Sequence, residues 1–151
     1  MIVMAVDPGY VSAGVVVCNL LEVLFTGTVN LEGDRFERIG KLVDFLREVI
    51  EKYRPMVLVM ERVFYGRNVD SSLKLSEVRG AVIGLTHLYS IIYREYHPGE
   101  IKKMVTGNGK ATKDQIRWMV ERLFNFDGIK SHHESDALAL IYTHLATEGL
   151  I

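Results

Sequence analysis

Two short, unbroken apolar runs constrain this chain most. Ile2 to Val6 and Met56 to Met60 each stop at an acidic residue, Asp7 and Glu61, and a helical pattern lies between them. A continuous apolar run of this length reads as a strand buried on both faces, and Asp7-Pro8-Gly9 supplies the turn that ends the first. From Asp34 to Tyr53, Phe36, Ile39, Leu42, Val43, Leu46, Val49 and Ile50 recur at spacings of three and four among Glu, Lys and Arg. That period marks an amphipathic helix, and Pro55 breaks it before the second run begins. Strand, long helix, strand implies a parallel crossover, and crossover folds place their ligand sites beyond the carboxyl ends of the strands. Asp7 and Glu61 occupy those ends.

The remaining pattern fills in the architecture. Gly14 to Val17 and about Glu22 to Val29 read as two more strands in a meander with the first. Asp70 to Tyr93 reads as a second long helix with a nearly apolar C-terminal half, explained by burial in the core or at a subunit interface. Gly80 and Gly84 within it permit close helix packing. Pro98 opens a short helix, the loop Thr106 to Lys110 follows, and Thr112-Lys113-Asp114-Gln115 has the form of a capping box starting a helix that runs to about Phe124. A last helix begins near Ser131 to His133 and passes Leu145. The order predicts an α/β fold with a mixed sheet. No repeat, low-complexity run or linker divides the 151 residues, so one domain spanning 1–151 is expected.

Composition excludes several classes. At 48% hydrophobic and 25% charged the chain has the make-up of a soluble domain, and no segment reaches the ~20 apolar residues a membrane span requires. Met1 runs straight into the first apolar stretch with no basic region or small-residue cleavage site, which reads as a buried strand and not as a secretory signal. Cys18 stands alone, which excludes an internal disulfide and a multi-cysteine zinc cage and fits a reducing cytoplasm. A net charge of -1 carries no global signal for nucleic acid; phosphates would have to meet a local basic patch.

If the strands that end at Asp7 and Glu61 are neighbours, their carboxylates converge. Converging carboxylates repel in a partly desolvated cleft, and a divalent cation is the usual means of keeping several ionised together. The pattern therefore points to Mg²⁺ or Mn²⁺. His133 and Asp136, three residues apart on the last helix, project from one face and can complete the cluster. Two oxygen-preferring ions in such a cluster can activate a water and stabilise the leaving 3′ oxygen of a phosphodiester. Taken singly, each residue also has a plain structural reading: Asp7 as a turn residue, Glu61 as a solvated strand end, His133 and Asp136 as helix caps. His132 beside His133 leaves the choice of imidazole to the spacing, which favours His133.

Longer motifs discriminate between these readings. Glu61-Arg62-Val63-Phe64, followed by Asn68 to Leu75 and by Arg79-Gly80, resembles the second signature block of the RuvC family of Holliday junction resolvases. Val6-Asp7-Pro8-Gly9 through Gly14 resembles the first block, Lys102 through Lys113 the third, and His133 through Ala139 the fourth, in family order over essentially the whole chain. The resemblance implies a ribonuclease H-like fold with a five-stranded mixed sheet flanked by helices. It also implies a homodimer with two active sites, symmetric nicking of four-way junction DNA, Mg²⁺ as cofactor at two ions per site with Mn²⁺ able to substitute, and a branch-migration helicase complex as partner. Asp7, Glu61 and Asp136 match the family's metal-binding carboxylates, and His133 a position where members carry Asp or His. Lys102 and Lys113 match basic residues near the scissile phosphate, and Phe64 an aromatic that opens or stacks on junction bases. Arg67, Lys74, Arg79, Lys110 and Arg117 can extend a positive surface that meets phosphates more than base edges.

The chain departs from the family pattern at Ala13, preceded by Ser12, where threonine is usual before Gly14, and at Glu77-Val78 in place of Gln-Ala. Neither change removes a proposed ligand; both bear on packing or DNA contact. Two rival functions keep part of this picture: a ribonuclease H-like RNA-processing nuclease, opposed by the Phe64–Gly80 block and the Thr106–Lys113 loop, and a non-catalytic junction-binding module, opposed by retention of all four ligands. A sugar-kinase or actin-like ATPase shares the Asp-x-Gly turn but needs a second domain and further phosphate loops.

Overall fold

The computed structural model describes residues 1–63 and 66–151. Three strands come first, β1 (Ile2–Asp7), β2 (Ser12–Asn19) and β3 (Glu22–Asn30), followed by helix α1 (Arg35–Tyr53), β4 (Val57–Glu61), α2 (Val69–Leu88) and β5 (Ile92–Tyr96). Helices α3 (Pro98–Thr106), α4 (Lys113–Leu123) and α5 (His132–Thr147) complete the chain. The five strands lie in the order β3-β2-β1-β4-β5. β1 pairs antiparallel with β2 and parallel with β4, and β5 extends the sheet parallel to β4. The mixed α/β sheet expected from the strand–helix–strand pattern is the one observed.

Alternation along β1 divides the core in two. Val3 and Ala5 face a cluster built with α3, α4 and α5, while Met4 and Val6 face one built with α1 and α2. Both runs are apolar throughout because both faces are covered. Cys18 lies fully buried in the first cluster, and burial pushes its thiol up to about 12, so it is a core residue and not a reactive one. No helix among the described residues is long and apolar enough to cross a membrane.

One expected boundary is wrong. The helix from Asp70 does not continue to Tyr93; it ends at Leu88, Tyr89 caps it, and Ser90 turns the chain at φ 55°. The residues beyond form β5 at the sheet edge. Ile91, Ile92 and Tyr93 are apolar in either conformation, and a short apolar run carries no period that separates strand from helix. The glycine expectation also needs revision within the protomer: a Cβ at Gly80 or Gly84 would have no neighbour within 4 Å, so neither serves a close contact there.

Candidate active site

The register Ala5↔Val59 aligns β1 with β4, so Asp7 and Glu61, each two residues further on, end adjacent strands at the same edge. Beyond Asp7 the turn is tight: a Cβ on Gly9 would stand 2.2 Å from the Ser12 carbonyl oxygen. Arg38 of α1 holds the neighbouring loops by donating to the carbonyls of Tyr10, Leu31 and Gly33. The carboxylate of Asp7 thus projects from a backbone fixed on both sides.

Helix α5 brings the other candidates. Ser131 caps it by accepting from the Glu134 amide, and its first turn crosses β2 so closely that a Cβ on Gly14 would lie 2.5 Å from that of His133. Gly14 is also the residue paired with Asp7 across β1 and β2. Its missing side chain is what lets His133 reach over the strand to Asp7, at 2.6 Å from Nδ1 to Oδ2. The other ring nitrogen, Nε2, lies 3.1 Å from Ser12 Oγ. Ser12 and Gly14 therefore orient the imidazole, and neither was assigned that task from sequence. His132 is exposed, whereas His133 is half-buried against Asp7.

A cleft of ≈ 210 Å³ is lined by Asp7, Glu61 and Asp136 together with Lys102 of α3 and Lys113, the first residue of α4. Pro98, Ile101, Ala111, Ile116, Ala139 and Leu140 supply the apolar part of its lining. Apolar neighbours raise the cost of every charge beside them. Burial, then the proximity of Asp7 and Asp136, push the Glu61 carboxyl above its ordinary range, against the pull of Lys102 and Arg79. Burial and Asp7 do the same to Asp136, against Lys113, His133 and His132. The hydrogen bond to Asp7 raises His133, outweighing desolvation. Among the described residues no donor bonds the carboxylate of Glu61 or Asp136, and no three such side chains stand close enough to enclose an ion as placed. The donor set fits a hard divalent cation by its chemistry: clustered carboxylates short of positive charge, with one imidazole and room between them.

The remaining basic candidates divide by what their side chains already hold. Arg67 is exposed in a second cleft between the start of α2 and the segment before it, and Lys110 is exposed in the loop between α3 and α4. Lys74 pairs with Asp70 at 2.9 Å and stands over the Tyr10 ring, an exposed pairing weak enough to exchange for phosphate. Arg117 is committed to Glu121 and to the Ile129 carbonyl, tying α4 to the chain before α5. Arg79, with 11% of its side chain exposed, bonds the Glu61 carbonyl and Glu95. Phe64 lies outside the described residues.

Known proteins resemble this chain in sequence and fold. A relative from Chlorobium chlorochromatii, named crossover junction endodeoxyribonuclease RuvC, is 39% identical over 147 residues, covering 93% of this chain and 77% of its own. The RuvC structure of Thermus thermophilus superposes with a TM-score of 0.88 at 25% identity, covering 99% of this chain and 97% of that one. Thermus RuvC in complex with a Holliday junction substrate has the same fold, at a TM-score of 0.88 and 23% identity over 99% and 97% of the two chains. The family model of crossover junction endodeoxyribonuclease RuvC matches residues 3–144, a span that takes in Asp7, Glu61, Lys102, Lys113, His133 and Asp136. On sequence and fold together, the chain belongs to the RuvC family.

Proposed function

We propose that this chain is a metal-dependent endonuclease that resolves four-way DNA junctions by paired, symmetric phosphodiester hydrolysis as a homodimer. The observation that carries this reading is the meeting of three acids and two lysines in one cleft from five separate elements. Asp7, Glu61, His133 and Asp136 are the ligands in this reading, with Mg²⁺ the expected ion, two per site, and Mn²⁺ its substitute. Bound there, the ions supply Lewis acidity for the attacking water and the leaving 3′ oxygen. Lys102 and Lys113 at the rim neutralise the phosphate that enters and stabilise charge on its oxygens in the transition state. Ser12 and Gly14 hold His133 against Asp7, so the imidazole presents one orientation. Arg67, Lys74 and Lys110 supply phosphate contacts outside the cleft.

A second copy of this chain is the proposed occupant of the bare side of α2. Val69, Leu73, Ser76, Gly80, Ile83 and His87 are all exposed and follow one another at alternating spacings of four and three. That is a heptad seam, diametrically opposite the buried stripe Val78, Val82 and Leu85. Gly80 and Gly84, open on this side, admit close approach of a partner helix.

The test compares a synthetic four-way junction with linear duplex and with RNA–DNA hybrid of matching sequence, in Mg²⁺, Mn²⁺ or chelator. Paired nicks in the junction alone, abolished by chelator, are expected. Hybrid cleavage would instead identify an RNA-directed nuclease, and junction binding without cleavage a non-catalytic module.

A further inference from the structure

The guanidinium of Arg79 turns away from solvent toward the end of β4. One nitrogen donates to the Glu61 main-chain carbonyl at 2.7 Å, the other to Glu95 Oε1 on β5 at 3.0 Å. Tyr93, two residues before Glu95, donates its hydroxyl to the same carboxylate oxygen. Glu61 is the last residue of its strand, and the pairing with β1 has already stopped at Ala5↔Val59. Arg62 and Val63, which follow it, lie outside regular structure. Among the described residues the sheet holds its backbone on the β5 side, where Arg62 N–H donates to the Tyr96 carbonyl at 2.8 Å. Arg79 supplies the second hold and places a positive charge beside a carboxylate that faces two others. A planar fork suits a carbonyl and a carboxylate at once; an ammonium does not reproduce that geometry.

We propose that Arg79 is a positioning residue, part of a Tyr93–Glu95–Arg79 brace that fixes the end of β4 so that the Glu61 side chain is presented to metal, and that it is not a junction contact. This rests on the reading of Glu61 as a metal ligand. It assigns a task to β5, the edge strand, which contributes no residue to the cleft.

Mn²⁺ binding to the DNA-free protein, read by electron paramagnetic resonance, is the decisive measurement, with thermal midpoints taken alongside. Arg79→Gln is expected to weaken Mn²⁺ binding about tenfold or more, the usual cost of losing a residue that orients a ligand. Glu95→Gln should shift it in the same direction by less, and Arg79→Lys should recover only part. Junction affinity in chelator, and its slope against salt, should stay as in the parent. The brace is refuted if Arg79→Gln binds Mn²⁺ normally while the salt slope falls by about one, the signature of a lost phosphate contact. A lowered thermal midpoint with unchanged Mn²⁺ affinity refutes it equally, since that is stability alone. Should Arg79→Gln fail to fold, Glu95→Gln decides, because freeing Arg79 from its carboxylate cannot weaken a phosphate contact. Glu61→Gln separates the two levels of argument. Normal Mn²⁺ affinity in that variant removes the ligand reading and the brace with it; weakened affinity there, with Arg79→Gln and Glu95→Gln normal, removes the brace alone.

Discussion

Helices α5 and α2 are both rich in apolar residues, yet the fold treats them in opposite ways. Ten of the 16 residues of α5 are buried, because the sheet lies under it and α3 and α4 lie beside it. Only four of the 20 residues of α2 are buried, all on the side toward the sheet and α1, while Val69, Leu73, Ile83 and Leu88 face outward. An apolar helix covered on every side belongs to a finished core. One covered on a single side leaves a face open to the proposed partner; single exposed apolar residues are ordinary, and Val69, Leu73 and Ile83 share that face with Ser76, Gly80 and His87. The division has a functional sense. His133 and Asp136, two of the proposed ligands, start from the more buried helix, and the proposed partner surface is on the more exposed one.

The largest effect expected on the α5 side follows from Asp7→Asn. This removes a proposed ligand and the acceptor that orients His133. Cleavage of a four-way junction should fall by roughly a thousandfold, the rate equivalent of about 4 kcal/mol of lost transition-state stabilisation. Junction binding in chelator should persist, since the basic side chains are untouched. Undiminished cutting by the purified variant would remove Asp7 from the chemistry.

The contrast itself breaks or holds on a pair of leucines. Leu138, fully buried on α5, should cost about 2–5 kcal/mol of stability when replaced by alanine. Leu73, 56% exposed in the protomer, should cost far less of the protomer's own stability, yet Leu73→Asp should convert a dimer to monomers in sedimentation at micromolar concentration. A Leu73→Asp chain that still sediments as a dimer would place the partner surface elsewhere and leave the α2 stripe unexplained.

These two regions also differ in how far the sequence revealed them. Asp7 and Glu61 were legible because each stops an apolar run, and a strand end is a position that pattern alone identifies. His133 and Asp136 were legible as a pair on one helical face. Ser12 and Gly14 were not: their contacts with α5 join residues more than a hundred positions apart, and nothing local marks a glycine as the gap through which a histidine reaches. The first residues of β5, Ile92 and Tyr93, were hidden in the run read as the end of α2. The strand's absence from the pattern also concealed the inward turn of Arg79, whose partner Glu95 it carries. Among cations, sequence shows the charge but not the partner, so Arg117 and Lys110 look alike until their contacts are known.

A smaller effect sharpens the role of the α5 N-terminus. The bond to Asp7 raises the His133 pKa above that of an ordinary histidine, and a protonated imidazole cannot bind metal. Metal affinity and cutting should therefore be present above the raised value and decline as pH falls through it, about tenfold per unit at the limit. His133→Asp should carry this limb to lower pH, as measured by Mn²⁺ affinity and cleavage rate across pH 5–8. An unshifted limb would mean that another group controls it.

The smallest effect concerns stability alone and sets the cost of the site against the security of the helix that bears it. Burial and Asp7 hold the Asp136 pKa above the ordinary value. A carboxyl whose pKa is raised on folding favours the folded state at low pH and loses that contribution as pH rises from the unfolded value through the folded one. Near neutrality Asp136 thus works against folding unless a cation offsets it. Asp136→Asn should raise the thermal midpoint of the metal-free protein by a few degrees, the shift that about 1 kcal/mol produces in a domain of this size. Mg²⁺ should raise the parent's midpoint and leave the variant's almost unchanged. If the variant instead melts lower without metal, Asp136 contributes more to the packing of α5 than its charge costs the fold.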